Sequence, residues 1–362
     1  MRPGPIAADT AAPITIGDAR EESLASIPDG GGVFVLHAGG ESRYLAKTAF
    51  LRRRIARTVR MFRLGEVLTR IDAWPTASRF ESALLHYELA RRLFPDNYAK
   101  LVRLARPAYV KVILANAFPR TQVTSRLSSR ALHFGPFRTR GDAEAFEKSM
   151  LDLFQMRRCE PDLAPAPEHP GCIYGEMNMC LRPCQTVVSM EEYAGEVGRV
   201  VEFLNTRGAS LVGATAAARD RLSEEMDFEG AARQHRLVER IQAVGALRGE
   251  LVCDVERLYG VAVLPSGDAG SVRLQFLWKG AWLGARVFEL DRTGGPLDHR
   301  LREMVEALEA GAVTLLERQE HLALLARWFY SSRREGEWIG FDDPAAAPWR
   351  KLVRAISRVA GG

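Results

Sequence analysis

Four of the five cysteines in this sequence lie in one short stretch and are candidates to bind a metal. Cys159, Cys172, Cys180 and Cys184 are separated by twelve, seven and three residues, in a segment that also contains five prolines. Four thiolates in one loop suit tetrahedral zinc or a four-iron, four-sulfur cluster. The alternative is a set of reduced thiols buried as small apolar side chains. Only the last pair has the close spacing typical of zinc sites, so the spacing leaves the metal open.

A second candidate group consists of Tyr44, Arg54 and Glu81. Hydrolysis of a phosphodiester requires a group that positions the attacking water, a cation near the developing charge and a carboxylate that holds a divalent ion. The three side chains would supply these functions in that order. The sequence contains no glycine-rich phosphate loop, no GxSxG and no HExxH motif. Because Tyr, Arg and Glu are common residues, the trio alone does not identify a nuclease.

An arginine-rich stretch is the third candidate. Within twelve residues that contain no acidic side chain, the sequence has Arg52, Arg53, Arg54, Arg57, Arg60 and Arg63. Such a stripe of cations favours phosphates as partners, and a solvated helix face is the alternative. Apolar residues recur at helical spacing from Leu51 to Phe62, which predicts a helix over 49–63 with the arginines on its outer side.

A hairpin and a second helix must position these groups. Residues 33–36 and 43–46 have the composition of strands and flank a turn at 38–42, which predicts a β-hairpin that carries Tyr44. Helical spacing of leucines then predicts a helix over 78–94.

Glu81 lies on the apolar face of that second helix, and this placement has two explanations. Ser78 and Glu81 have the spacing of a capping box, and the helix dipole favours a carboxylate in the first turn. The other explanation is that Glu81 points into a functional site.

The remaining patterns alternate between strand and helix and predict an α+β fold. Strands are predicted over 108–114, 121–125, 258–263, 272–278 and 282–290, with a turn at 134–137. Helices are predicted over 142–156, 189–205 and 297–330, and the arms 212–226 and 229–248 form a helical hairpin. The apolar side of this hairpin either docks another protein or packs within the parent fold.

The composition is that of an ordinary soluble protein. A length of 362 residues predicts two or three domains, and 47% hydrophobic with 26% charged residues is typical of globular chains. No apolar run is long enough for a membrane helix, and the N-terminus lacks the apolar core of a secretory signal. Bunched cysteines favour a reducing cytoplasm over a disulfide framework.

Several ordered motifs resemble the N-terminal half of the bacterial excinuclease family UvrC, over roughly residues 28–290. The stretches that resemble its GIY-YIG nuclease domain are Gly32-Val33-Phe34, Tyr44-Leu45-Ala46-Lys47, Leu51-Arg52-Arg53-Arg54 and Glu81-Ser82-Ala83-Leu84-Leu85. The cysteine stretch resembles the family's cluster region. Residues 226–233 resemble its UVR motif.

The resemblance implies a role for each matched residue. Tyr44 would assist the attacking water, Arg54 would stabilise phosphate charge, and Lys47 would support the same site. Glu81 would bind Mg²⁺ or Mn²⁺ for an incision 3′ to a lesion in double-stranded DNA. The four cysteines would hold a four-iron, four-sulfur cluster, with zinc as the alternative.

The resemblance also implies two partners, damaged DNA and the excinuclease protein UvrB. The residues expected to contact DNA are Arg52, Arg53, Arg57, Arg60 and Arg63. The residues expected to contact UvrB are Leu222, Met226, Phe228, Glu229 and Ala232.

Three departures from the family pattern weaken the expectation of full nuclease activity. Phe34 replaces a tyrosine, Ala46 replaces a glycine, and Glu88 stands where the family usually has asparagine. Two hypotheses follow: a metal-dependent endonuclease that makes the 3′ incision with UvrB, and a non-catalytic partner with a degenerate nuclease site. A redox sensor built on the cysteines is a third hypothesis.

The resemblance divides the chain into five segments. They are a disordered N-terminus at 1–26, a nuclease-like domain at 27–105, a linker with the cysteine region at 106–205, a UVR hairpin at 206–248, and a segment of β-hairpin and helix at 249–362. The family continues into an RNase H-like domain that makes the 5′ cut and into helix-hairpin-helix modules. Residues 291–362 match neither, so we expect that this chain does not make the 5′ incision.

Overall fold

The chain folds into two compact units. A computed structural model describes residues 12–39, 43–64, 67–291, 295–308 and 311–361. One unit combines Met1–Ala105 with Leu258–Gly362, and the other is Arg106–Arg257. The boundary after Ala105 lies where the nuclease-like segment is expected to end, and most of 249–362 belongs to the same unit as that segment.

The N-terminal part of the first unit is a four-stranded antiparallel sheet with helices on both sides. Its elements are β1 (Ile14–Ile16), α1 (Glu21–Ala25), β2 (Gly32–Ala38), β3 (Arg43–Thr48), α2 (Leu51–Met61), β4 (Leu68–Pro75), α3 (Arg79–Leu93) and α4 (Tyr98–Val102). The strand order is β1-β4-β2-β3. The predicted hairpin is confirmed, with Leu36 directly opposite Tyr44.

The prediction of disorder over 1–26 is wrong for its described part. Ile14 of β1 pairs with Ala73 of β4, and Leu24 of α1 is buried in the core below the sheet. A strand of three residues and a helix of five are too short to produce a clear periodic pattern. Residues 1–11 lie outside the described residues, as do residues 40–42 of the predicted hairpin turn.

Each face of this sheet is covered by a different helix. Phe34 and Leu36 of β2 share a core with Leu51 and Ile55 of α2. The intervening side chains of β2 point the other way, and α3 packs against β2 and β3. The two helices that carry Arg54 and Glu81 are therefore attached to different surfaces of one sheet.

The second unit joins a small sheet to a group of helices. Its elements are β5 (Ala108–Ile113), β6 (Arg120–Thr124), β7 (Leu132–Phe137), α5 (Arg140–Leu151), α6 (Ile173–Glu176), α7 (Met190–Asn205), α8 (Ala209–Glu224), α9 (Phe228–Leu247) and β8 (Cys253–Asp254). The strand order is β6-β5-β7-β8. The predicted turn at 134–137 is wrong, because these residues form the end of β7 and pair with β5 and β8.

One core holds the second unit together. Phe134 of β7, Phe146 of α5, Phe203 of α7 and Ile241 of α9 are essentially fully buried in the same cluster. The predicted helices over 189–205 and in the hairpin are confirmed. Because α9 contributes to this core, the helical hairpin is part of the unit that contains the cysteines and is not a separate domain.

The C-terminal part of the first unit is a second antiparallel sheet. Its elements are β9 (Tyr259–Pro265), β10 (Ser271–Trp278), β11 (Ala281–Glu289), α10 (Leu297–Glu306), α11 (Leu315–Phe329), β12 (Glu337–Phe341) and α12 (Trp349–Gly361). The strand order is β11-β10-β9-β12. The predicted helix over 297–330 is two helices, and a capping box at Thr314 begins the second. Leu352 and Ile356 of α12 bury one face of that helix against the sheet.

Helix α11 joins the two sheets of the first unit. The rings of Phe80 on α3 and Trp328 on α11 are stacked, with centroids 4.6 Å apart. The hydroxyl groups of Tyr87 and Tyr98 both donate hydrogen bonds to the Glu320 carboxylate, at 2.7 and 2.8 Å. Aromatic stacking and shared polar contacts of this kind make α3 an internal helix of the unit.

Candidate functional site

Tyr44 lies in an aromatic group on the side of the first sheet that faces α2. Its ring centroid is 6.1 Å from that of Phe34 and 5.8 Å from that of Phe62. Phe34 is fully buried, so the residue that replaces the family's tyrosine serves the core. Because side chains alternate along a strand, Lys47 lies on the opposite face of β3 from Tyr44. The structure therefore separates two of the predicted catalytic side chains.

Two of the arginines predicted to contact DNA already have protein partners. Arg52 donates hydrogen bonds to the carbonyl oxygens of Ile27 and Ala25, at 3.0 and 3.3 Å. Arg53 pairs with the Asp29 carboxylate at 2.6 Å. These contacts attach the segment after α1 to α2, which gives both arginines a structural role. Their DNA contacts remain a prediction.

The other arginines of α2, and Arg63 two residues after its end, lie beside exposed apolar side chains. Arg54 is half-buried, whereas Arg57, Arg60 and Arg63 are exposed. Phe62, near the end of the helix, is 52% exposed. Cations interleaved with exposed aromatic groups are typical of surfaces that bind nucleic acids.

Glu81 is buried near the start of α3 and makes two kinds of contact. Its Oε1 lies 3.1 Å from Nε of Arg273, which belongs to β10. Its Oε2 accepts a hydrogen bond from the Ala77 N–H at 2.9 Å, and its own N–H donates to Oγ of Ser78 at 3.1 Å. Burial raises the pKa of Glu81, while Arg273 and the backbone hydrogen bonds act in the opposite direction. The helix-capping explanation agrees with this geometry.

As placed, Glu81 does not fit a divalent ion. The Arg273 guanidinium occupies one oxygen of the carboxylate, and Mg²⁺ requires a near-octahedral set of oxygen ligands. Among the residues that the structure describes, no three His, Cys, Asp or Glu side chains are arranged to hold a metal ion. Nor does any hydrogen bond or ion pair within this described part of the chain connect Tyr44, Arg54 and Glu81. The Mg²⁺ or Mn²⁺ site remains a prediction, and no chemical step is derived through it.

Lys47 lines a cavity of the first unit, a space of about 580 Å³ between the start of α3 and the end of α11. The pKa of Lys47 is lowered to about 8, first by desolvation and then by the nearby charge of Arg327. His86 is buried close to the same two cations, and desolvation lowers its pKa to about 4. The imidazole is therefore neutral at pH 7.

The four clustered cysteines surround one small internal space in the second unit. All four side chains line a cavity of about 10 Å³, and none forms a disulfide. The backbone N–H of Arg182 lies 3.4 Å from Sγ of Cys180, and Nη1 of Arg157 lies 3.5 Å from Sγ of Cys159. Hydrogen bonds of this kind stabilise sulfur ligands in metal and cluster sites.

Four thiols that line one cavity are donors of the kind that zinc or an iron–sulfur cluster takes, although as placed among the described residues they are not arranged around an ion. Burial, together with smaller contributions from the other three cysteines, raises the pKa of Cys180 to about 11, so the thiols do not ionise together unaided. A bound cation removes that mutual repulsion. The sulfurs line one cavity without forming a closed coordination shell as they stand, so the choice between iron–sulfur cluster and zinc remains a prediction.

Comparison with known proteins shows that the chain is similar to excinucleases. Residues 108–203 match the family model "UvrC/Cho excinuclease, middle domain". The UvrABC system protein C of Moorella thermoacetica is 26% identical over 357 residues, 93% of this chain. Those of Desulfatibacillum aliphaticivorans and Carboxydothermus hydrogenoformans are 27% and 26% identical, over 76% and 85% of the chain. These matches show that the chain is similar to UvrC proteins over most of its length.

The UvrC relatives are longer than the chain. The matched regions cover 57%, 47% and 53% of the three relatives, so the chain spans about half of their length. No solved structure matches the chain. Among the described residues, no helix is long and apolar enough to cross a membrane.

The tip of the helical hairpin is apolar and exposed. Met226 is 77% exposed and Phe228 is 69% exposed. Asp227 between them accepts a hydrogen bond from the Gly230 N–H at 2.9 Å and caps α9. The other residues predicted to contact UvrB are also accessible, since Glu229 and Ala232 are exposed and Leu222 is half-buried. The residues predicted to contact UvrB therefore form an accessible group.

Sequence reasoning missed the two arginines that change the interpretation of the nuclease-like site. Arg273 alternates with apolar residues along β10, and that polar position was visible in the sequence, although its partner was not. Arg327 occupies the exposed side of α11, and only the packing of that helix against α3 brings it near Lys47.

Proposed function

We propose that this chain is a UvrC-type nucleotide excision repair protein that binds DNA and a UvrB-type partner without cutting DNA through its nuclease-like site. The observation that carries the proposal is the buried ion pair between Glu81 and Arg273. A carboxylate committed to a guanidinium and to a helix cap is a poor ligand for the divalent ion on which GIY-YIG incision depends.

DNA binding is assigned to the outer side of α2. Arg57, Arg60 and Arg63 are exposed there, and Phe62 adds an aromatic surface. Contacts from such side chains to phosphates are largely independent of sequence and sensitive to salt. This surface suits a protein that must bind damaged DNA of any sequence.

Partner binding is assigned to the tip of the helical hairpin. Its exposed Met226 and Phe228 are supported by a short, capped connection. The hairpin resembles the UVR motif, and a like hairpin on UvrB is the partner that the resemblance implies. Large exposed apolar side chains on a rigid tip are typical anchors of protein interfaces.

Incision 3′ to a lesion is the second candidate function. It is favoured by the presence of Tyr44, Lys47, Arg54 and Glu81 at the spacing of the GIY-YIG family. The buried position of Phe34 and the separation of Tyr44 from Lys47 across β3 argue against it.

A plasmid-nicking assay separates the two candidates. Lesion-containing plasmid is incubated with the protein and UvrB in Mg²⁺ or Mn²⁺, and wild type is compared with Glu81→Gln and with Arg138→Ala as a surface control outside the assigned DNA-binding surface. We expect DNA binding without nicking for wild type. Metal-dependent nicking that disappears in Glu81→Gln and persists in Arg138→Ala would establish the second candidate.

A further inference from the structure

The cavity beside Lys47 has more cationic than anionic side chains. Its charged and polar lining consists of Lys47, Thr48, Thr76, Ser78, Arg79, Ser82, Arg327, Ser331, Arg333 and Glu335. Phe80, Leu324 and Trp328 form an apolar wall. A volume of about 580 Å³ lies within the range of small-molecule sites.

Two of the cations have no counter-ion in the described part of the chain. Glu335 is the one acidic residue among the described residues that line the cavity, and it is engaged by Arg79 through a backbone hydrogen bond of 2.6 Å and a side-chain contact of 3.5 Å. Lys47 and Arg327 have no hydrogen bond or ion pair among the described residues, and they lie close enough to repel each other. Two like charges held at one cavity without a neutralising acid favour an anionic ligand.

The position of Glu335 shows that this part of the cavity accepts an anion. Its carboxylate accepts a hydrogen bond from the backbone N–H of Arg79, the first residue of α3, where the helix dipole is positive. Glu335 is supplied by the segment after α11 and is only half-buried. It pairs with Arg79 at the start of α3, and no acidic side chain among the described residues that line the cavity pairs with Lys47 or Arg327.

We propose that this cavity binds a phosphate monoester of nucleotide size. The phosphate contacts Lys47 and Arg327, hydroxyl groups such as that of Thr48 complete its hydrogen bonds, and the apolar wall accommodates the nucleoside. The source of the phosphate is either a free nucleotide or the phosphorylated end of a DNA strand. The site does not depend on the proposed absence of incision, because its ligand requires neither Glu81 nor a divalent ion.

Calorimetric titration of the full chain tests the proposal with matched probes. Thymidine 5′-monophosphate is compared with thymidine, and a 5′-phosphorylated tetrathymidylate with its unphosphorylated form. We expect binding that requires the phosphate. Binding of the mononucleotide alone assigns a free nucleotide, and preferential binding of the phosphorylated strand assigns a strand end. Equal affinity for phosphorylated and unphosphorylated probes, or no binding of either, overturns the proposal.

Two arginines of the same region provide the variant and its control. Arg327→Gln removes a cation that lines the cavity. Arg334→Gln removes a cation that lies over the Phe329 ring and does not line the cavity. Loss of a charge-assisted hydrogen bond predicts about tenfold weaker phosphate binding for Arg327→Gln and little change for Arg334→Gln. Both residues are exposed, so unchanged thermal unfolding is expected. Undiminished affinity in Arg327→Gln would contradict the assignment.

The pH profile is a second readout. A phosphate monoester gains its second negative charge above about pH 6, and the pKa of Lys47 is about 8. Affinity is expected to be highest between these values and to fall as Lys47 loses its proton. The charged and titratable groups around Lys47 are Arg79, His86, Arg327, Arg333 and Glu335. A flat profile from about pH 6.5 to 9 would exclude Lys47 as a phosphate contact.

Discussion

Replacing Arg273 with methionine is expected to destabilise the first unit strongly. The substitution keeps an unbranched side chain of similar length and removes the guanidinium that lies 3.1 Å from Glu81. Glu81 is only 6% exposed, so water cannot replace the lost partner. Removing one partner of a buried ion pair leaves an uncompensated charge and costs about 3–5 kcal/mol of unfolding free energy.

Glu81→Gln is expected to cost less, about 1–3 kcal/mol. The glutamine keeps an oxygen that accepts the hydrogen bond from the Ala77 N–H, and the N–H of residue 81 still donates to Ser78. Arg273 also has an interaction besides the one with Glu81. The double variant is therefore expected to lose less unfolding free energy than the two single variants lose together, by about 0.5–3 kcal/mol.

The penalty of Arg273→Met also depends on pH. Burial raises the pKa of Glu81 above its usual value, so between the unfolded and the folded pKa the folded state holds a proton that the unfolded state has already lost. A group of this kind contributes stability below its unfolded pKa and loses that contribution as pH rises through the folded pKa. Without Arg273 the folded pKa rises further. The difference between variant and wild type is therefore smaller at about pH 5 than at about pH 7.5.

Urea unfolding followed by tryptophan fluorescence measures these differences. The matched control is Arg358→Met, because Arg358 pairs with Glu337 at 2.6 Å but both side chains remain accessible to solvent. An exposed pair contributes less than about 1 kcal/mol. If Arg273→Met cost no more than Arg358→Met, or if its penalty were the same at both pH values, the assignment of Glu81 as a buried counter-ion would be refuted.

Three further predictions concern the other sites. Protein purified without oxygen is expected to be brown and to contain iron. Cys180→Ser should lose the metal, whereas Cys253→Ser should retain it. A colourless protein that contains one zinc ion would show that the site holds zinc instead of a cluster. In a binding titration, Phe228→Ala should weaken UvrB binding by about 1–3 kcal/mol. The control Leu316→Ala, at another exposed apolar residue, should leave the affinity for UvrB unchanged. Replacing three arginines on or just after α2 should lower the salt slope of DNA binding by about 2–3, whereas a control triple variant should leave the slope unchanged. The tested set is Arg57, Arg60 and Arg63, and the control set is Arg103, Arg130 and Arg138.

Much of the fold could be predicted because its periodic patterns are local. The hairpin around Tyr44, the α2 and α3 helices and the helical hairpin all appear where the sequence predicts them. Ser78 illustrates the reason, because a hydroxyl that accepts the Glu81 N–H defines the helix start within four residues. Such interactions depend on neighbours in sequence and are visible without the fold.

The features that could not be predicted depend on distant packing. Phe134–Phe137 has the composition of a turn, but pairing with β5 on one side and β8 on the other makes it a strand. The helix break before Thr314 is a local signal hidden by the apolar pattern on either side of it. The ion pair between Glu81 and Arg273 joins residues that the whole second unit separates in sequence, so no spacing rule reveals it.

A titration of Mn²⁺ into the full chain, followed by the electron paramagnetic resonance signal of the free ion, tests most directly whether Glu81 is a counter-ion or a metal ligand. We expect the same free-ion signal for wild type and Glu81→Gln, because Arg273 already neutralises that carboxylate. A Mn²⁺ site that is present in wild type and missing in Glu81→Gln would contradict it and return Glu81 to the role of metal ligand.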